Sequence, residues 1–86
     1  MNRRKLLLLR LSQGALSNVR FEDLVDLAAG FGFELSRVKG SHHIFTHPAI
    51  PGLLNLQEVG GQAKPYQIRQ LLRLVERYNL QLGEDS

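Results

Sequence analysis

The pattern of hydrophobic and polar positions along the chain predicts three helices. Residues 3–12 read as a short helix. The segment FEDLVDLAAGFGF predicts a firmer helix, because its apolar side chains recur at helical spacing, and Gly30 or Gly32 ends it. Pro65 opens the last helix, since proline favours the first turn. The apolar stripe of this helix consists of Ile68, Leu71, Leu72, Val75 and Tyr78.

Three strands are predicted between the second and third helices. FELSRVK alternates apolar and polar residues and then changes phase at Val38, which indicates a bulge or bend. HHIFTH is rich in strand-forming residues and is closed by Pro48, and LLNLQEV alternates again. Between these two, PAIPG is typical of a turn, so we expect the strands to pair as a hairpin with a rather long loop.

The order helix, helix, three strands, helix predicts an α+β fold. We expect a three-stranded antiparallel sheet with helices packed on one face and the other face open. Successive side chains of a strand point to opposite faces. If Phe45 points into the core, as its size favours, then His43 and His47 lie on its side of the sheet and His42 points outward.

Composition and charge narrow the class of protein. The chain has 86 residues, which is enough for a single small domain. It has no cysteine, which excludes disulfides, thiolate zinc sites and cysteine nucleophiles. The apolar run at 6–9 is too short for a signal peptide or a membrane span, so we expect a cytoplasmic protein without membrane contact.

The net charge is +3, and its distribution is uneven. Between residues 37 and 73 the only acidic residue is Glu58. The basic residues of this region are Arg37, Lys39, Lys64, Arg69 and Arg73. A locally positive field that also contains histidines suits a polyanionic partner, most simply RNA or DNA.

All three histidines lie within the segment VKGSHHIFTHP, and three interpretations compete for them. They could be ordinary surface residues. They could bind a metal, but neighbouring His42 and His43 point opposite ways on a strand and no cysteine or nearby carboxylate completes a ligand set, so we expect no metal and no cofactor. They could serve acid–base catalysis on RNA, which carries its own nucleophile in the ribose 2′-OH. Lys64, just before a helix start, suits a phosphate held together with the free N–H groups of that helix.

The segment GFELSRVKGSHHIFTHP, followed by a third strand and a helix beginning KPYQIRQLLRLV, resembles the HicA-type toxin family over about residues 21–80. The resemblance implies a fold like the double-stranded RNA-binding domain, mRNA interferase activity and a HicB-type antitoxin that covers the active site. It also implies that the histidine of Gly40-Ser41-His42 is catalytic. We expect a helical extension at 1–18, a HicA-like domain at 19–82 and a disordered tail at 83–86.

These observations favour the toxin of a type II toxin–antitoxin system, a metal-independent endoribonuclease acting on mRNA. His42 would act as base on the 2′-OH or as acid to the leaving oxygen. The residues expected to bind RNA are Arg37, Lys39, Gly40, Ser41, Lys64, Arg69 and Arg73. A second proton-transfer group is not identified. Two alternatives remain: a non-catalytic RNA-binding module of the same fold, and a protein whose basic face binds an acidic partner.

Overall fold

The computed structural model describes residues 2–83 and shows helices before and after a three-stranded sheet. The elements are α1 (Arg3–Ser12), α2 (Phe21–Gly30), β1 (Glu34–Lys39), β2 (His42–His47), β3 (Ile50–Gln57) and α3 (Pro65–Arg77). This order confirms the predicted α+β fold with an additional N-terminal helix.

The sheet is antiparallel throughout, with strand order β1-β2-β3. The loop between β1 and β2 is only Gly40 and Ser41. Gly40 has φ of +60°, a conformation that glycine adopts without strain at the first position of a two-residue hairpin loop. The pairing of β1 with β2 shifts register between Leu35 and Arg37, which confirms the predicted irregularity in β1.

The hairpin of β2 and β3 is confirmed, but its loop is shorter than expected. β3 begins at Ile50, so Pro51 and Gly52 are strand residues rather than part of the turn. Proline is tolerated here because β3 is an edge strand, where one side of the backbone needs no ladder hydrogen bond. The tight turn is closed by the Ala49 N–H, which donates to Nδ1 of His47 at 3.0 Å.

The core lies between α2, α3 and one face of the sheet. Phe45 is 2% exposed, which confirms its predicted inward orientation. It belongs to one apolar cluster with side chains from both helices, among them Leu24, Leu27, Ile68 and Leu71. Truncating such a buried leucine to alanine costs about 2–5 kcal/mol.

Helix α3 also covers the outer edge of β3. Gln67 is 2% exposed, and its Oε1 accepts the backbone N–H of Gln57 at 3.1 Å. A side chain therefore satisfies an edge N–H that no strand pairs. Just before α3, the Ala63 N–H donates to the Val19 carbonyl at 2.9 Å, which fixes the start of the helix against the rest of the fold.

Helix α1 packs along α2 through an ion pair. The guanidinium of Arg4 binds both carboxylate oxygens of Asp26, at 3.0 and 2.9 Å. The hydrogen bonds from Arg4 hold the pKa of Asp26 below its ordinary value and raise that of Arg4. No helix within residues 2–83 has the length and apolar character to cross a membrane. Of the expected tail, residues 84–86 lie outside the described range.

Candidate functional site

His42 is the first residue of β2, directly after the hairpin loop. Its cross-strand neighbours are Lys39 on β1 and Gln57 on β3. Cross-strand neighbours share a face of the sheet, and alternation places this trio opposite the buried Phe45. His42 is exposed on that open face, as the sequence predicts.

The ring of His42 is oriented by a neighbouring amide. Its Nδ1 lies 3.2 Å from Oδ1 of Asn55. An amide oxygen can only accept a hydrogen bond, so the neutral ring carries its proton on Nδ1. The lone pair is then on Nε2, which makes no hydrogen bond within the described residues and can accept a proton from a ligand.

A cleft opens beside His42, between β3 and the start of α3. It is lined by His42, Asn55, Gln57, Tyr66, Gln67 and Gln70. Tyr66 is 58% exposed, and its phenol oxygen accepts a hydrogen bond from Nε2 of Gln67 at 3.2 Å. The phenol hydrogen therefore remains available to a ligand. The cleft is also tied to the hairpin loop, because Gln57 donates to the Ser41 hydroxyl at 3.2 Å.

A second groove lies next to this cleft along α3. Its lining consists of Leu53, Gln70, Arg73, Leu74, Glu76 and Arg77. Gln70 lines both depressions, so they are adjacent. The helical spacing of Tyr66, Gln70, Arg73 and Arg77 puts these four side chains on one face of α3. His42, the exposed ring of Tyr66 and a groove with two arginines and Glu76 are thus neighbours on the surface.

The structure brings some of the predicted basic residues to this surface and not others. Lys39 is beside His42, and Arg37 pairs with Ile44 on the same open face. Arg73 lines the groove. Lys64 is exposed at the N-cap of α3 and Arg69 is exposed on the helix, but neither lines the cleft or the groove.

The sequence within this architecture matches a known family. The family model of the HicA toxin of bacterial toxin–antitoxin systems matches residues 21–76. The chain belongs to the HicA toxin family. HicA membership identifies it as the toxin of a toxin–antitoxin system, whose partner is an antitoxin. The match begins at the first residue of α2, so α1 precedes the part that HicA proteins share. No curated protein and no solved structure shows significant similarity to this HicA chain.

The other two histidines of this HicA chain have structural contacts. The ring of His43 lies 4.8 Å from that of Phe21, and its Nδ1–H donates to the Ser41 carbonyl at 3.2 Å. His47 donates from Nε2 to the Phe31 carbonyl at 2.9 Å. In the part of the chain from 2 to 83, no group of three or more His, Cys, Asp or Glu side chains is placed to hold a metal.

Asn55 and Tyr66, together with the glutamines of the cleft, are site residues that sequence reasoning missed. The outward orientation of Asn55 follows from its position between Leu54 and Leu56, which are both buried. Its contact with His42 depends on the register of β2 with β3, which alternation alone does not give. For Tyr66 the available signal is an exposed aromatic residue directly after Pro65, in the first turn of α3.

Proposed function

We propose that this HicA toxin is an endoribonuclease that cleaves mRNA in the cytoplasm without a metal cofactor. The observation that carries the proposal is the orientation of His42. Its Nδ1 is engaged by Asn55, which leaves Nε2 available on an open face of the sheet. An imidazole whose ring is held in one orientation is suited to take a proton on its other nitrogen.

The reaction uses the nucleophile of the substrate. Nε2 of His42 takes the proton of a ribose 2′-OH, and the 2′-oxygen attacks the adjacent phosphorus. The bond from phosphorus to the 5′-oxygen breaks, and that oxygen needs a proton to leave. The products are a 2′,3′-cyclic phosphate and a 5′-hydroxyl. Because the attacking oxygen belongs to RNA, DNA of the same sequence is not a substrate.

Tyr66 is the best-placed donor of the second proton. It lines the same cleft as His42, and its phenol oxygen already accepts a hydrogen bond from Gln67. That hydrogen bond orients the phenol so that its own O–H is directed elsewhere, and tyrosine is one of the side chains that act as general acids. Tyr66 thus fills the role for which the sequence suggested no residue.

The RNA runs through the cleft as a single strand. An exposed aromatic ring such as that of Tyr66 stacks on a base whatever its identity. Arg73 and Arg77 in the adjacent groove neutralise phosphates on one side of the reacting nucleotide. Lys39 and Arg37 do so on the open face of β1. Lys64 and Arg69 are exposed outside the cleft and the groove and provide weaker contacts.

The antitoxin is of the HicB type and inhibits by covering His42 and the cleft. Residues 19–82 form the toxin domain, and residues 1–18 form an extension whose helix α1 packs on α2 through Arg4 and Asp26. Helix α1 packs against α2, and none of its residues lines the cleft.

The proposal is tested by incubating the purified chain with a long RNA in EDTA. Cleavage should proceed and leave 2′,3′-cyclic phosphate ends. The matched control is a short RNA that is cut at a mapped position, compared with the same RNA carrying a single 2′-deoxy nucleotide on the 5′ side of that position. Cutting there should stop while cutting elsewhere continues. Cleavage that persists at the deoxy position, or that EDTA abolishes, contradicts the mechanism.

A second function, RNA binding without cleavage, is favoured by one observation. Apart from His42 and Tyr66, the side chains that line the cleft are amides, which neither donate nor take protons at neutral pH. If the phenol does not donate, the site binds RNA and leaves it intact. Wild-type chain that binds RNA tightly, without any cyclic phosphate product, would establish this function instead.

A further inference from the structure

The two edge strands of the sheet differ in how far the rest of the chain covers them. At the β3 edge, the side chain of Gln67 satisfies the N–H of Gln57 and α3 covers the strand end. At the β1 edge, all six residues of Glu34–Lys39 are exposed. An edge strand presents a row of N–H and C=O groups that can pair with another strand.

This exposed edge also carries two large apolar side chains. Leu35 and Val38 are each 52% exposed. Their cross-strand neighbours are Phe45 and His43, so both point to the helix-covered side of the sheet, beyond the reach of the helices. The register shift between Leu35 and Arg37 makes this possible, since without it two positions three apart would point to opposite faces.

The sequence of β1 is complementary to itself in the antiparallel direction. When two copies are related by a two-fold axis between residues 36 and 37, Glu34 is opposite Lys39 of the second copy. Leu35 is then opposite Val38 of the second copy. Each pair occurs twice, so the edge brings together two opposite-charge pairs and two apolar pairs. Cross-strand pairs of both kinds stabilise antiparallel strands.

The sheet faces on which the β1 side chains lie are compatible with this pairing of two copies. Glu34 and Lys39 have cross-strand neighbours Thr46 and His42, which are on the open face, and Leu35 and Val38 are on the other. A two-fold axis perpendicular to the sheet keeps each face continuous across the junction. The charged pairs therefore meet on the open face and the apolar pairs on the opposite face.

We propose that β1 pairs with β1 of a second copy of this chain, which gives a two-fold dimer with a continuous six-stranded sheet. Charged side chains on an edge strand usually discourage pairing with another strand. The opposite charges at the two ends of β1 instead favour pairing with a second copy. The interface is a single short strand from each copy, so the dimer is expected to dissociate on dilution.

The test is a charge-reversal experiment followed by sedimentation velocity over a wide concentration range. Wild type should show a monomer–dimer equilibrium. Glu34→Lys alone and Lys39→Glu alone each turn both opposite-charge pairs into like-charge pairs, so each should weaken the dimer about tenfold or more. An equimolar mixture of the two single variants should form a heterodimer, because both charge pairs then join opposite charges. The double variant Glu34→Lys/Lys39→Glu should regain dimerisation for the same reason.

Restoration in the mixture also shows that both single variants are folded. Glu58→Lys reverses an exposed charge outside β1 and is the matched control, which should dimerise as wild type does. A wild-type chain that stays monomeric at every concentration overturns the proposal. So does a dimer that is insensitive to both single reversals, or one that the mixture fails to restore. The experiment involves no RNA, so its outcome is separate from that of the cleavage assay.

Discussion

Oδ1 of Asn55 lies 3.2 Å from Nδ1 of His42, across the pairing of β2 with β3. This contact favours the tautomer with the proton on Nδ1 and leaves Nε2 without a hydrogen bond among the described residues. Asn55 touches no reacting atom in the proposed mechanism, so it is a positioning residue. The roles proposed for the neighbouring side chains are defined by their positions relative to His42 and Asn55.

His42→Ala should lower the rate of RNA cleavage by about 10²- to 10⁴-fold, because it removes the group that takes the 2′-OH proton. His42 is exposed, so the thermal stability and the RNA affinity should change little. The measurement is single-turnover cleavage in EDTA at matched folded concentration.

The control for that experiment is His43→Ala. This change removes a ring packed on Phe21 and a hydrogen bond to Ser41, so it should cost about 1–2 kcal/mol of unfolding free energy. The folded fraction should still cleave RNA. Undiminished cleavage by His42→Ala would contradict the role assigned to that residue.

Asn55→Leu should lower the cleavage rate by up to about 10²-fold, since the ring of His42 loses the acceptor that fixes its orientation. Asn55→Asp keeps an acceptor oxygen at the same place and should retain more of the activity. RNA affinity should be similar in both variants. If Asn55→Leu and Asn55→Asp cleave RNA at the same rate, the cleavage rate does not depend on an acceptor at position 55 that orients His42.

Tyr66 has two proposed roles, and two substitutions separate them. Tyr66→Phe keeps the ring for base stacking but removes the phenol, so the cleavage rate should fall while RNA affinity is retained. Tyr66→Ala removes the ring as well and should weaken binding by about 1–3 kcal/mol. Affinity is measured by fluorescence anisotropy and the rate by single-turnover cleavage. Full activity in Tyr66→Phe would exclude the phenol as the proton donor.

Arg73→Gln should reduce the salt dependence of RNA binding. Each phosphate contact on a single strand contributes about 0.7 to the slope of log affinity against log salt concentration, so the slope should become shallower by about that amount. Lys5→Gln removes the same charge from α1, away from the groove, and is the control. Equal slopes for the two variants would place the RNA elsewhere.

The ion pair between Arg4 and Asp26 should make the stability of the fold depend on pH in the acid range. The pKa of Asp26 is lowered in the folded state, mainly by its hydrogen bonds with Arg4. Its contribution is therefore present above the ordinary carboxyl pKa of about 3.9 and is lost as the pH falls through the lowered folded value. The side chain of Asp26 is half exposed, so the pair should contribute less than about 1 kcal/mol at pH 7.

The measurement for this pair is urea unfolding of wild type and Asp26→Asn across the acid range. The difference in unfolding free energy should be largest near neutral pH and should shrink toward zero in strong acid. Arg4→Gln and the double variant complete a double-mutant cycle, in which the two changes should be less than additive. A difference that grows as the pH falls would contradict the assigned sign.

Local periodicity was enough to determine the elements and their order. Helical spacing marked α2 and α3, and alternation marked the strands, because each regular structure repeats its side-chain direction with a fixed period. The same alternation, with the size of Phe45, correctly placed His42 on the open face. It did not give the start of β3, because Pro51 and Gly52 indicate a turn unless the strand is known to be at an edge.

Only the tertiary structure decided which side chains contact His42 or share its cleft. Asn55 contacts it through the register of two strands, and Tyr66 lines the same cleft through the packing of α3 against the edge of β3. Both depend on pairings between distant parts of the chain, which no local pattern encodes. The opposite charges at the two ends of β1 are visible in the sequence. Only the strand order shows that β1 is an exposed edge, where another strand can pair with it. Side-chain direction is determined by the local backbone, whereas the neighbours of a side chain across a sheet are determined by the packing of the whole core.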